Sequence, residues 1–216
     1  AKVLAAERGI VSLPAIYVME GDGVLNAFAS RFFGKDMVVL YSELFDLIED
    51  GKEEEMMYIL AHEFAHIKRR HVLLHLLILP AMWVPFVGNA YMRACEYTCD
   101  RHAAYYINNM EAAQNALTTL AIGKKLQYRV NKEAFIAQLE QERDFFAWIS
   151  EKMSTHPDLP KRLNQLLNWQ SPESHVLIKE RKRNYAYVFL FMASATAVFI
   201  LGTIGAVKLI SWAEEE

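Results

Sequence analysis

Two histidines and a glutamate stand at a spacing that suits metal chemistry. Residues 62–66 read His-Glu-Phe-Ala-His, inside a segment whose apolar residues recur at helical spacing. Because four residues advance a helix by a little more than one turn, the imidazoles of His62 and His66 project from one face. There they can share one zinc ion at roughly 2.0–2.1 Å each. Glu63 then lies beside the metal, where a general base can take a proton from a water molecule on the ion.

A third ligand must come from further along the chain. The extended pattern that adds a glycine and a third histidine to the same helix is excluded, because Arg69 and Val72 stand at those two positions. His71 lies about 140° from His66 around a continuous helix, so we expect it to face solvent or a membrane interface. The first acid after the apolar stretch that follows is Glu96, which we predict to be the third ligand.

A second acid accompanies Glu96 on the same predicted helix. Asp100 lies one turn further on, and two like charges at that spacing repel by roughly 0.2–0.5 kcal/mol when exposed. A shared cationic partner removes that cost. With Glu96 on the metal, Asp100 can accept the N–H of a liganding histidine and fix its tautomer. The alternative is a solvated acidic pair beside Arg93 and Arg101.

The elements that must position these residues begin with a small sheet. Strands are predicted at residues 14–19, 24–33 and 37–41, with a turn at 34–36 between the last two. A short helix then follows, opened by Ser42 and ending near residue 50.

Helices make up the remainder of the prediction. Asp50 is expected to cap the helix that carries His62, with Glu53 as its capping-box partner. Further helices are predicted over residues 1–9, 93–107, 111–126 and 132–153, and another from the prolines at 157 and 160 to about 169.

Composition excludes some classes of protein. The chain has 216 residues and a net charge of -3, which gives no basic surface for nucleic acid. Hydrophobic residues make up 53% of the sequence, and the excess is concentrated at 72–92 and 185–207. The two cysteines, Cys95 and Cys99, are badly oriented for bridging each other on one helix, so we expect reduced thiols.

The segment 185–207 is uncharged and long enough to span a bilayer of about 30 Å. We predict a transmembrane helix over 184–210 and an acidic tail over 211–216, after a catalytic domain over 1–183. Basic residues precede the span and acids follow it, which favours a cytoplasmic position for the large domain. Small residues in the span would permit helix pairing in a homo-oligomer.

The segment 72–92 cannot be a single membrane crossing, because His66 and Glu96 must meet at one ion. Pro80, Pro85 and Gly88 favour a helical hairpin instead. Two alternatives stay open: the hairpin dips into the membrane, or it packs on the protein's own domain.

Taken together, the motifs give the chain a family resemblance over most of residues 5–169. The motifs are Asn26-Ala-Phe-Ala, His62-Glu-x-x-His, Arg93-x-x-Glu-Tyr-x-x-Asp, and Thr155-His-Pro followed by Arg162. They resemble the membrane-linked zinc metallopeptidases that include the HtpX heat-shock protease and the CAAX prenyl proteases, with the HtpX-like branch favoured.

The resemblance implies roles for individual residues. The zinc ligands would be His62, His66 and Glu96, with Glu63 as the base, Asp100 orienting a ligand and Arg162 bracing the site. His156 would lie near the metal and stabilise the oxyanion. Asn26, Ala27 and Phe28 would belong to the strand beside which an extended substrate lies.

The fold and activity expected are therefore those of a zincin-type (gluzincin) domain: α+β, mainly helical, with a small sheet and a C-terminal transmembrane helix. The expected function is zinc-dependent cleavage of membrane or misfolded proteins, in a bacterial inner membrane with the catalytic domain facing the cytoplasm. The alternatives are a narrow processing protease of the CAAX type and a zinc-stabilised membrane scaffold without catalysis.

Overall fold

The computed structural model describes residues 13–84, 86–123, 126, 129–131, 134–137, 144–171 and 182–214. It divides into two compact units, residues 1–176 and residues 177–216, which are described separately. The helix expected over residues 1–9 and the last two residues of the acidic tail lie outside the described residues.

A three-stranded mixed sheet opens the first unit. Its strands are β1 (Ala15–Met19), β2 (Ala27–Phe32) and β3 (Lys35–Tyr41), in the order β1-β3-β2. β3 pairs in parallel with β1 and in antiparallel with β2. Three strands were predicted in these places, but β2 begins later than expected. β3 begins earlier, because Phe33 and Gly34 alone make the turn. Both have positive φ, as a two-residue hairpin turn requires.

Among the described strands β2 lies at an edge of the sheet. Tyr41 donates its backbone N–H to the carbonyl of Asn26 at 3.0 Å. Since residues of an antiparallel pair alternate in their bonding, Ala27 and Ala29 direct their backbone groups away from β3. This edge is therefore able to pair with a further extended segment.

A 3₁₀ turn (Ser42–Leu44) and α1 (Asp46–Glu49) connect the sheet to α2 (Glu53–Lys68). The capping box predicted for α2 was wrong: the capping position belongs to Lys52, and no side chain caps the helix there. The acidic side chains in the first turn still stabilise the helix, because they lie at the positive end of its dipole. The chain turns at residues 50–52, so Asp50 falls before the helix start.

α3 (His71–Met82) and α4 (Val87–Ile107) form a helical hairpin across the apolar segment. Gly88 allows their close approach, because a Cβ there would lie 2.9 Å from the Cα of Met82. Pro80 was expected to break the helix but lies in its last turn, inside α3. Whether the hairpin enters a membrane stays a prediction.

α5 (Met110–Ile122), α6 (Phe145–Met153) and α7 (Leu159–Gln170) complete the first unit. The single helix predicted over residues 132–153 was wrong. Asp144 has an extended backbone and accepts the N–H of Phe146 at 2.6 Å, so it caps a separate helix that begins at Phe145.

The core of the first unit lies between the sheet, α2 and the helices that pack on it. α2 packs most closely on α4, with α5 beside it and α7 closing the far side. Leu44, Leu47, Phe64 and Leu166 are fully buried there. Its apolar packing makes α2 a rigid support for the polar side chains on its opposite face.

The second unit contains α8 (Lys182–Glu214). Its segment Asn184–Ala206 spans 23 residues and is long and apolar enough to cross a membrane. The fold is thus α+β and mainly helical, with a small sheet and one apolar C-terminal helix, as predicted.

Candidate metal centre

The two histidines of α2 face one another, as their spacing predicted. Nε2 of His62 lies 3.2 Å from Nε2 of His66. His62 is buried, and the side chain of His66 is 16% exposed. Two ring nitrogens at this distance cannot both present lone pairs without a cation or proton between them.

Glu96 of α4 completes a group of three donors. Its Oε2 lies 3.4 Å from Nε2 of His62, and its Oε1 lies 3.3 Å from Nε2 of His66. In a tetrahedral site with bonds of about 2.0–2.1 Å, neighbouring ligand atoms lie about 3.3–3.4 Å apart. The spacing and the mixed nitrogen and oxygen donors therefore fit one zinc ion with a position left for water.

Glu63 lies next to this group and lines the same cavity. Burial raises the pKa of its carboxyl above the ordinary value, although His62 and His66 oppose the shift. The backbone N–H of Ala29 on β2 also binds the carboxylate. A buried carboxylate with a raised pKa suits a group that must take up and return a proton.

Asp100 lies behind His62, on the side away from Glu96. Its Oδ1 is 3.0 Å from Nδ1 of His62 and 2.9 Å from the hydroxyl of Tyr58, which donates to it. Burial alone would raise the pKa of Asp100, but Arg162 and His62 hold it well below the ordinary value. Asp100 is thus an anionic acceptor for the outer nitrogen of His62.

Tyr58 was missed in the sequence. Its signal was its position four residues before His62, on the same face of α2. A tyrosine in a helix is common enough that this spacing alone does not mark it.

Arg162 of α7 binds both acids of α4. Its Nη1 lies 3.3 Å from Oε2 of Glu96, and its Nε and Nη2 bind Asp100.

Burial opposes a charge on His62, yet its hydrogen bonds to Asp100 and Glu96 raise its pKa to about 10. The two carboxylates therefore favour a cation at this position, either a proton on His62 or a metal ion beside it.

His156 also reaches the centre. Its Nδ1 lies 3.4 Å from Oε1 of Glu96, while its side chain is 67% exposed. The hydrogen bond to Glu96 raises the pKa of His156. The exposed ring can thus meet a substrate as well as the acid.

Arg93 holds the segment that carries His156. Its Nη1 donates to the carbonyls of Glu151, Lys152 and Ser154 at 3.2, 2.8 and 2.7 Å. The Ser154 hydroxyl in turn donates to the carbonyl of His156 at 2.8 Å. The sequence pattern contained Arg93 but did not indicate this role, which depends on carbonyls some sixty residues away.

A cavity of about 110 Å³ opens beside the donors. Of the three residues predicted on a substrate-binding strand, Asn26 and Ala27 line it, whereas Phe28 is not among the described lining residues. Side chains alternate along a strand, so Phe28 points to the other face, where it is 40% exposed. The full lining consists of Asn26, Ala27, Tyr58, Ile59, His62, Glu63, Glu96, Leu120, His156 and Arg162.

His71 does not lie where the sequence analysis placed it. α2 ends at Lys68, and Arg70 adopts the left-handed conformation with φ 55°. The chain therefore turns before α3, and Nδ1 of His71 lies 3.3 Å from Nδ1 of His66. The expectation that His71 faces solvent or a membrane was wrong, because it assumed one continuous helix.

One helix carries two facing histidines and an intervening glutamate, and a later helix adds a second glutamate. This arrangement is typical of metallopeptidase active sites. The model of peptidase family M48 matches residues 1–84 and 73–170, and the chain belongs to this family. The resemblance predicted from the motifs is confirmed at this level, and the chain is a metallopeptidase. No curated protein matches the sequence significantly.

Proposed function

We propose that this protein is a membrane-bound zinc endopeptidase in which His62, His66 and Glu96 hold the ion and Glu63 is the general base. The supporting observation is a group of three side chains whose nearest donor atoms lie 3.2–3.4 Å apart, with both oxygens of Glu96 taking part, beside a buried Glu63 in one cavity. A structural metal site has no need of a base and closes its fourth position. This arrangement favours catalysis over a scaffold role.

Zinc, when bound, would polarise water and the substrate carbonyl. Glu63 accepts a proton from the attacking water as its oxygen bonds to the carbonyl carbon. The side chain of His156 stabilises the negative charge that develops on the carbonyl oxygen. Glu63 then delivers the proton to the amine nitrogen as the C–N bond breaks, which leaves a carboxyl terminus and a free amine.

An extended substrate would bind along the outer edge of β2. The carbonyls of Ala27 and Ala29 point to that edge and could accept N–H groups of the substrate, whereas the two N–H groups bind Asn26 Oδ1 and Glu63. Asn26 and Ala27 line the cavity. Main-chain pairing accepts many sequences. This supports cleavage of unfolded segments of membrane or misfolded proteins, in the manner of the HtpX-like branch, over one narrow processing site.

The membrane part of the proposal is supported by the apolar segment Asn184–Ala206. In the sequence, basic residues precede the segment and three glutamates end the chain. The positive-inside tendency then places the catalytic unit in the cytoplasm, at a bacterial inner membrane.

The test is zinc-dependent cleavage of an unfolded protein by the intact chain in detergent. Glu63→Gln at matched zinc occupancy should lose turnover while zinc affinity is kept, and Glu53→Gln, an exposed position on the same helix, should cleave normally. Turnover by Glu63→Gln would refute the assigned base. Zinc bound by all three proteins with no cleavage by any would favour narrow specificity or a scaffold.

A further inference from the structure

We propose that His71 is a positioning residue that accepts the Nδ1 proton of His66 and so turns Nε2 of His66 toward the metal. This inference rests on the proposed function, since it takes His66 as a zinc ligand. It assigns a role to a histidine that belongs neither to the donor group nor to the cavity lining.

The geometry at His66 supplies the first argument. Nε2 of His66 faces the donor group, 3.2 Å from His62 and 3.3 Å from Glu96. A neutral imidazole that offers its Nε2 lone pair to an ion carries its proton on Nδ1. That proton needs an acceptor, and Nδ1 of His71 lies 3.3 Å away. The two rings meet edge to face, with centroids 5.0 Å apart.

His62 provides a comparison within the same site. Its Nδ1 has the carboxylate of Asp100 at 3.0 Å, so each histidine of the donor group has an acceptor for its outer nitrogen. Orienting contacts of this kind fix the tautomer and ring angle of a ligand. The two acceptors differ in charge, because His71 offers a neutral nitrogen where Asp100 offers a carboxylate.

The chain turns sharply to bring His71 into this place. Arg70 has φ 55°, a left-handed conformation that is unfavourable for a residue with a side chain, and it directly precedes α3. Nε of Arg69 donates a hydrogen bond to Nε2 of His102 on α4, and Nη2 of Arg69 lies 2.7 Å from the same nitrogen. These contacts hold the junction of α2 and α3 against α4.

Cys99 of α4 contacts the same nitrogen of His71. Its Sγ is buried and lies 3.5 Å from Nδ1 of His71. The atoms of His66, His71 and Cys99 lie close enough together to hold a second ion. Such an ion would require both ring nitrogens of His66, with no proton left on either. With a single ion, His66 stays neutral and keeps its proton on Nδ1. We therefore assign one ion to this centre.

The experiment measures zinc affinity by competition with a chelator and, separately, the melting temperature of the zinc-free protein, both on the full chain in detergent. His71→Leu removes the acceptor, whereas His71→Asn places an amide oxygen near the position of Nδ1. His75→Leu, one turn further along α3, is the matched control. We expect the Kd for zinc to rise by about 10–100-fold in His71→Leu. His71→Asn should recover most of that loss, and His75→Leu should bind as the wild type does.

Three results would overturn the inference. The first is a wild-type Kd in His71→Leu. The second is an equal loss of zinc affinity in His71→Leu and His71→Asn, together with equal drops in the melting temperature of the zinc-free protein. That result would indicate that His71 has a packing role. The third is two zinc ions in the wild type and one in Cys99→Ser, which would establish a second metal site. A wild type that binds no zinc would overturn the proposed function itself, so the two failures are distinct.

Discussion

Arg162 holds the carboxylate of Asp100 through two parallel hydrogen bonds, from Nε to Oδ2 at 2.7 Å and from Nη2 to Oδ1 at 2.6 Å. Both side chains are buried. The planar guanidinium is the one side chain that matches a carboxylate in this forked geometry. Since Asp100 also faces His62, the orientation of a proposed metal ligand depends on a residue of α7.

Replacing Arg162 by leucine should leave a buried Asp100 without its cation. We expect the free energy of unfolding of the zinc-free protein to fall by about 3–5 kcal/mol, as urea unfolding in detergent would measure. Gln165→Leu changes an exposed position on the same helix and should stay within about 0.5 kcal/mol of the wild type. Equal stability of Arg162→Leu and the wild type would mean that water screens the pair.

Asp100 should also make the stability of the zinc-free protein depend on pH. Burial raises its pKa, but Arg162 and His62 bring it below the ordinary value of 3.8. A carboxyl with a depressed folded pKa stabilises the fold above its unfolded pKa, and that stability is lost as the pH falls toward the folded pKa. The free energy of unfolding should therefore decline below a pH of 3.8.

The variant Asp100→Asn provides the comparison for this decline. It should be less stable than the wild type near neutral pH and should lack this part of the slope in acid. Urea unfolding at several pH values would measure both curves. Identical slopes in the two proteins would show that other carboxyls cause the acid sensitivity.

Replacing Arg93 by alanine should loosen the segment that carries His156. Three carbonyls at the end of α6 lose their shared donor, so His156 is no longer held beside Glu96. We expect kcat to fall by about 10–100-fold, the range of a misplaced catalytic group. Zinc affinity should change little, because neither histidine of α2 contacts Arg93 among the described bonds.

The control for Arg93 is Arg101→Ala, an exposed arginine on the same helix. Hydrogen exchange over residues 144–156 should rise in Arg93→Ala and stay unchanged in Arg101→Ala. Loss of zinc together with activity would instead assign Arg93 to the metal site.

The outer face of α3 should contact lipid. Leu76 and Leu77 are 63% and 72% exposed, and Trp83 beyond the helix end is 89% exposed. An apolar surface of this kind on a protein with a candidate membrane span is expected to be buried in the bilayer. In bilayers that contain brominated lipid, we expect the bromine to quench part of the tryptophan fluorescence. The quenched fraction should fall in Trp83→Phe and stay unchanged in Trp169→Phe. Unchanged quenching in Trp83→Phe would favour a hairpin packed outside the membrane.

The part of the centre that lies on one helix was readable from the sequence. His62, Glu63 and His66 are related by helical periodicity alone, and Glu96 and Asp100 by the same rule on α4. Their meeting across the two helices was inferred because a metal needs a third donor, and the structure brings them together.

The contacts missed in the sequence depend on backbone features with weak local signals. His71 reaches His66 only because Arg70 adopts a left-handed conformation, and the run Lys68-Arg69-Arg70 contains no glycine to indicate a turn. The role of Arg93 depends on where α6 ends, and the predicted helix over 132–153 hid the cap at Asp144. Tertiary packing decided each of these cases.

The order of synthesis has a consequence for when this centre becomes competent. A ribosome adds 100 residues between His62 and Arg162. Until α7 has emerged and docked, Asp100 lacks its forked partner and Glu96 lacks its contact with the same arginine. A growing chain therefore carries both histidines long before it carries the parts that orient them. The proposed activity is therefore expected only once α7 has been made and has docked.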